Sequence, residues 1–325
     1  MNNFKKIGLT ALAASLVSTS AFAGELTATG SASISVENYS GEQINSDKAW
    51  SMADSVILSG STELDNGMTV SMSFELDDAD TAHSYDSHSV TISSDALGTL
   101  TFSGNGGSSA VSAMDATAAG DIFDTFDGQI GDAENSTTAG DAAMLTSPGG
   151  DDSLFYTAPS VVDGLAITAS YNGEAGAESS SAFGLTFTGV EGLTVNYGIG
   201  SDDGAAGTAN NADVTTMKAS YAVGPVTLAY SDHSYDSATA TRDQDTKSMS
   251  VAYTISDSIS VSYGTEEMST GEASTVDAEF TKISASYTSG GMTITATQAE
   301  AENISYGTGS TEDQDYWGLT LAFAF

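Results

Sequence analysis

The chain has 325 residues, with 44 acidic against 7 basic side chains, a formal net charge of −37 and no cysteine. So negative a chain is a poor partner for nucleic acid or an anionic membrane surface and favours cations around it. No disulfide can staple it, so stability must come from a packed core or from closure of a sheet.

The first segment, Met1–Ala23, carries Lys5 and Lys6, an apolar stretch Ile7–Val17, and Ala21-Phe22-Ala23 before Gly24. That is the layout of a cleaved secretory signal. The apolar stretch falls well short of the roughly 20 residues that span a bilayer, so an anchor is the poorer reading. The fold is therefore expected in residues 24–325.

From there the chain alternates. Glu25–Glu37 places Leu26, Ala28, Gly30, Ala32, Ile34 and Val36 on one parity, which predicts a strand. Val56–Leu76 reads as a hairpin. Val56, Leu58, Leu64, Met68, Val70, Met72, Phe74 and Leu76 share a face only if Asp65-Asn66-Gly67 forms a three-residue turn pairing Leu64 with Met68. A two-residue Asn-Gly turn would put the faces out of step, so Gly67 takes the left-handed position. Weaker pairs follow at Val90–Ser94 with Leu100–Phe102 and at Leu154–Tyr156 with Leu165–Tyr171.

Phe183–Phe187 then pairs with Leu193–Ile199 across a five-residue loop. Met217–Val223 meets Val226–Tyr230 at Gly224-Pro225, and Met249–Ile255 meets Ile259–Tyr263 at Ser256-Asp257-Ser258. Ile283–Tyr287 meets Met292–Ala296 across Thr288–Gly291. The last segment, Tyr316–Phe325, sets Trp317, Leu319, Leu321, Phe323 and Phe325 against Gly318, Thr320, Ala322 and Ala324. A first strand, seven hairpins and a last strand make 16 strands, with both termini at one end.

Six of the seven hairpins have tight turns, while the connections between hairpins are long and acidic. That asymmetry fits an outer-membrane barrel. The fold class expected is all-β, a 16-stranded antiparallel transmembrane β-barrel whose last strand pairs with its first. Tyr221, Tyr253 and Tyr287 each precede a tight turn on the apolar parity, where an aromatic girdle would lie. A soluble β-sandwich or β-solenoid is the competing fold. Against it, the polar parity is mostly Ser, Thr, Ala and Gly rather than Lys, Arg and Glu, and calcium-binding solenoid repeats are absent.

The Ala21-Phe22-Ala23 boundary followed by Gly24-Glu25-Leu26, the segment Asp95–Phe102, the segment Ser153–Pro159 and the final strand ending in Phe325 together resemble a general diffusion porin of the Gram-negative outer membrane, most like the alphaproteobacterial branch. The resemblance covers essentially the whole chain. It implies a homotrimer of barrels, each with a water-filled pore for small hydrophilic solutes. It also implies that Phe325 is the signal read by the outer-membrane barrel assembly machinery.

Such porins narrow the pore with a long inward-folded loop after the fifth strand. Here Gly104–Asp152 is the longest connection, a length that points to function. It holds Asp115, Asp121, Asp124, Asp127, Asp132, Glu134 and Asp141 and no basic residue. Ile122, Phe123, Phe126 and Ile130 have helix-like spacing, so a short helix against the barrel wall is expected. A solvated surface loop is the alternative. The family usually opposes such acids with a cluster of Arg and Lys on the wall, and this chain departs from that. Lys218 has lumen parity; so has Lys282 if Ile283 faces lipid, although Phe280 then also points inward. Lys48, Arg242 and Lys247 fall in or beside loops. Glu63 and Glu75 add lumen-facing negative charge.

Acidic rings lower the barrier for cations, so a cation-selective channel is expected. No cofactor is expected. Carboxylates near Asp77, Asp78 and Asp80, or Asp202 and Asp203, offer the oxygen ligands calcium prefers, without EF-hand spacing. His83, His88 and His233 sit in acidic, loop-like segments with no nucleophile nearby, and no P-loop, GxSxG or HExxH motif is present, so an enzyme is not expected. A substrate-specific outer-membrane channel and a secreted or surface-associated structural or adhesin protein are the alternatives.

Overall fold

Period-two alternation gives each segment one apolar and one small polar face, and a sheet closed on itself uses both without an unpaired edge. The computed structural model describes residues 26–40, 49–77, 86–126, 144–173, 179–203, 211–272, 275–304, 306–307 and 313–325. The strands are β1 Thr27–Ser40, β2 Ala49–Glu63, β3 Thr69–Asp77, β4 Ser87–Ser94, β5 Gly98–Asn105 and β6 Ser153–Thr157. They continue with β7 Leu165–Asn172, β8 Ser180–Val190, β9 Leu193–Asp203, β10 Asn211–Val223 and β11 Val226–Ser237. The last five are β12 Gln244–Ser256, β13 Ile259–Thr270, β14 Ala278–Ser289, β15 Met292–Glu302 and β16 Gln314–Ala324. Each pairs with its sequence neighbours and β1 pairs antiparallel with β16, closing a 16-stranded barrel. Neither the sandwich nor the solenoid fits a single closed sheet. The signal segment lies outside the described residues.

Register follows the expected pattern. The Leu64 N–H donates to Met68 O at 2.7 Å and Gly67 has φ 78°, so the turn is the three-residue form. At the closing seam Ile34 faces Leu321 and Val36 faces Leu319. Phe325 exchanges both backbone hydrogen bonds with Gly30, at 2.8 and 2.9 Å, so the terminal residue is itself part of the closure.

Three turns are tighter than expected. Val190 pairs with Leu193, Ser256 with Ile259 and Ser289 with Met292, leaving Glu191-Gly192, Asp257-Ser258 and Gly290-Gly291 as two-residue turns. At the other end the strands outrun their apolar segments: β11 continues past Tyr230 to Ser237, and β13 past Tyr263 to Thr270. Ladder hydrogen bonds are made by the backbone, so pairing continues where neither face is apolar. His88 therefore lies on β4 and His233 on β11, not in loops, and Lys247 lies on β12.

The exposed parity carries Phe102, Tyr156, Phe183, Leu185, Leu228, Met249, Val251, Ile283 and Leu319, with Tyr221, Tyr253 and Tyr287 towards the tight turns. This is the outer, lipid-facing surface of such a barrel. The opposite parity is interior, because the connection after β5 lies against it.

Candidate pore site: a loop seated on the inner wall

Two apolar contacts hold the connection between β5 and β6. Near its start, Ala110 and Val111 bury against Ala182 of β8, Ala212 and Val214 of β10 and Tyr235 of β11, flanked by Leu145 and Phe155. Further on, Ile122, Phe123 and Phe126 bury against Met268, Phe280, Ala299, Ala301, Ile304 and Tyr306. The helix-like spacing becomes one short 3-10 helix, Phe123–Phe126; Ile130 lies outside the described residues. Phe126 stacks on Phe280 at 6.0 Å and meets the edge of Tyr39 at 6.4 Å, whose hydroxyl donates to Thr125 O at 2.8 Å. Phe280 and Lys282 do share the inward parity, because the loop covers Phe280. Each fully buried Ile, Met or Phe in this cluster contributes about 1.5–3 kcal/mol, so apolar burial supplies most of the docking.

Between the two contacts the loop crosses the wall on polar side chains. Lys218 Nζ donates to Ala116 O at 2.7 Å and Lys282 Nζ to Gly120 O at 2.8 Å. The Ala118 N–H donates to Ser231 Oγ at 2.8 Å, the Ala119 N–H to Ser248 Oγ at 2.9 Å, and Ser250 Oγ to Ala118 O at 2.6 Å. Glu266 accepts from the Thr117 hydroxyl and from the Phe123 N–H. Glycines let the loop come this close. A Cβ at Gly264 would lie 2.5 Å from Ala119 Cβ, and one at Gly200 2.9 Å from Ser147 Oγ.

Of the seven loop acids proposed from sequence, the described residues include Asp115, Asp121 and Asp124; Asp127, Asp132, Glu134 and Asp141 lie outside them. Asp115 is buried beneath Thr146, whose hydroxyl donates to it, and near His233. Burial pushes its carboxyl above the usual range, against the Thr146 hydrogen bond and the field of His233. Asp121, at φ 47°, accepts the Thr117 N–H at 2.8 Å. Asp124 lies in the first turn of the short helix.

The wall residues separate into two kinds. Lys218 and Lys282 point inward, but both are engaged by loop carbonyls. Glu63 and Glu75 lie on the inward parity of β2 and β3, where Glu75 accepts from Ser55 and Ser87 at 2.5 and 3.1 Å. Lys247 is on the outward parity of β12, paired across strands with Asp232 and Glu267, and Arg242 lies in the short β11–β12 connection. Away from the loop the inner wall is a run of hydroxyl pairs, such as Ser35 with Thr320 at 3.0 Å and Thr91 with Thr101 at 2.9 Å.

Oxygens of Glu75, Asp77 and Asp86 lie within 4.8 Å of one another; Asp78 and Asp80 lie outside the described residues. Asp202 instead accepts the Tyr235 hydroxyl at 2.7 Å, and Asp203 the Ser201 hydroxyl at 2.9 Å. Sequence reasoning missed Glu266, Ser231, Ser248 and His233, whose Nε2 is 2.7 Å from Leu145 O. A glutamate on the inward parity of β13, among small residues, was the available signal for Glu266.

The chain matches the Gram-negative porin family over residues 8–306. No curated protein matches it. Among solved structures it is similar to an anion-selective porin from Comamonas acidovorans, with TM-score 0.65 and 13% identity over 93% of this chain and 100% of that one. A loop-deletion mutant of the outer-membrane protein OmpT of Vibrio cholerae gives TM-score 0.65 and 14% identity over the same shares. A mutant of Rh. blastica porin gives TM-score 0.63 and 14% identity, again over 93% of this chain and 100% of that one. At these identities the likeness concerns the fold, and the family match does not single out the alphaproteobacterial branch. By its match over nearly its whole length, and by a closed barrel of the same architecture, the chain belongs to the Gram-negative porin family.

Proposed function

We propose that this outer-membrane porin is a water-filled, cation-selective channel for passive diffusion of ions and small hydrophilic solutes, narrowed by the loop between β5 and β6. One observation carries the selectivity. Among the described strand residues the inward-facing cations are Lys218 and Lys282, both held on loop carbonyls, and the inward-facing acids Glu63, Glu75 and Asp77 outnumber them. Two lysines drawn onto the loop against this excess of carboxylates leave a net negative lumen, which lowers the electrostatic barrier for cations. That an anion-selective porin shares the fold is no objection, since selectivity resides in lumen charges and not in the barrel.

The reversal potential of the purified protein in a KCl gradient tests the proposal. Potassium preference is expected, weakening near 1 M salt, where the screening length is about 3 Å; chloride preference refutes it. Absence of any conductance would favour a structural or adhesin role. Assembly is proposed as a homotrimer with one pore per barrel, Met1–Ala23 as the export signal removed beforehand, and Phe325 as the mark for the assembly machinery. No cofactor enters the function. Any calcium held by Glu75, Asp77 and Asp86 would be structural, and unchanged thermal stability after EDTA would count against it.

A further inference from the structure

We infer that Glu266 is the positioning residue that fixes the loop across the pore, with Lys282 and Lys218 clamping the loop beside it instead of acting as wall charges towards the solute. This rests on the channel reading above. Within the segment Ala116–Phe123, Thr117 and Asp121 exchange two hydrogen bonds at 2.8 Å and the Gly120 N–H donates to Thr117 O at 3.2 Å, which closes one turn without fixing it on the wall. Its remaining polar groups are met by one wall strand after another: Lys218 on β10, Ser231 on β11, Ser248 and Ser250 on β12, Glu266 on β13 and Lys282 on β14. The segment therefore crosses five strands, and its position is set by side chains and not by a backbone ladder.

Glu266 differs from the other supports. It is 3% exposed, and its two oxygens serve two separate points of the segment, Oε1 the Thr117 hydroxyl and Oε2 the Phe123 N–H. It thus joins the polar crossing to the apolar anchor that begins at Ile122. On the same strand Gly264 leaves no room for a Cβ beneath Ala119, and directly opposite Gly264 stands Lys282. Removing the carboxylate leaves two buried donors unpaired, a larger loss than removal of one exposed hydroxyl. The lysines follow the same logic. An ammonium fixed on a carbonyl of the loop acts first on loop position, so its loss should change pore size before it changes charge preference.

The test is single-channel recording in planar bilayers with the full-length protein and the variants E266A, E266Q, K282M and T117V. E266A is expected to give a noisier conductance about twofold larger, because the loop no longer holds the narrow position. E266Q, which keeps an acceptor oxygen, should lie between. K282M should raise conductance and noise with little change of reversal potential; a strong shift towards cations at unchanged conductance would mark a field-setting lysine and overturn the clamp. Because the chain has no cysteine, a disulfide between positions 119 and 248 can be introduced cleanly. In E266A/A119C/S248C, oxidation should restore the wild-type conductance and reduction should abolish the rescue. Wild-type conductance and noise in a folded, heat-modifiable E266A would overturn the inference. If E266A does not fold, unchanged currents in both K282M and T117V overturn it. A silent wild-type protein sinks the channel reading itself, whereas a conducting wild type with unaltered variants sinks only the role of Glu266.

Discussion

Two stretches of the same inner wall carry different residues. On β2 to β5 the inward positions include Ser59, Ser61, Ser71, Ser73, Ser89, Thr91, Thr99 and Thr101 with a few acids and Ile57, and hydroxyls mostly face hydroxyls. On β8 to β15 the same parity holds Ala182, Gly200, Val214, Tyr235, Gly264, Met268 and Phe280, and there the loop lies. The difference shows that an interior parity is not one environment. Where water meets the wall, short polar side chains suffice; where a loop meets it, the wall supplies glycine for close approach, apolar volume for burial and a buried carboxylate for register.

The largest effect should come from emptying the covered side. Phe280→Ala removes a fully buried ring from the cluster around Phe126, a class of change that costs about 3–5 kcal/mol. Much of that cost falls on loop docking, so conductance and noise should rise together while the barrel still migrates as a heat-modifiable species. Thr101→Ala, on the hydroxyl-lined side, should stay within about 0.5 kcal/mol and leave the current unaltered. Equal effects of the two would remove the distinction between the stretches.

Overfilling the covered side comes next. Gly264→Ala sets a Cβ 2.5 Å from Ala119 Cβ, and overpacking of this kind costs about 1–3 kcal/mol. As an outer-face control, Gly60→Ala meets nothing within 4 Å and should be neutral, as thermal melting of the two variants would show. Charge, in contrast, should act on the bare side. Thr91→Arg is expected to shift the reversal potential towards chloride at less than about 1 kcal/mol cost in stability, since its side chain remains in water. An unchanged reversal potential would place Thr91 off the ion path.

The same division explains what could be read from the sequence. Alternation settled strand number, the Asp65-Asn66-Gly67 turn and the pairing of Tyr316–Phe325 with the first strand, because each depends on side-chain parity alone. The upper limits of β11 and β13 were not legible, since backbone pairing continues through Ser, Thr and Asp without an apolar mark. His233 was misplaced in a loop-like segment for this reason, whereas Lys247, expected in or beside a loop, stands near the start of β12. Phe280 looked like a register conflict because parity says which way a residue points, not what covers it. Glu266 could not be singled out: its role depends on Thr117 and Phe123, more than a hundred residues earlier in the chain, arriving at one point of the wall.

The smallest effect concerns the proton on Asp115. Its carboxyl is held above the usual carboxylate range chiefly by burial; Asp121 pushes in the same direction, and the Thr146 hydroxyl and His233 oppose it. With the loop docked the group keeps its proton at pH values where the undocked, solvated carboxyl has released it. The docked state therefore binds more protons across that interval, and docking must weaken as pH rises through it. Current noise in the wild-type channel should accordingly grow as pH is raised from just below the ordinary carboxylate value to just above it, and remain level beyond. Asp115→Asn cannot ionise and still offers an oxygen to Thr146, so it should lose the share of the rise that Asp115 contributes, leaving a flatter profile than the wild type. The three contacts at Ser231, Ser248 and Ser250, between hydroxyls and backbone groups, do not titrate and set the floor below which the loop does not loosen. Noise that falls with rising pH, or a variant with the wild-type profile, would assign the pH response to a group other than Asp115.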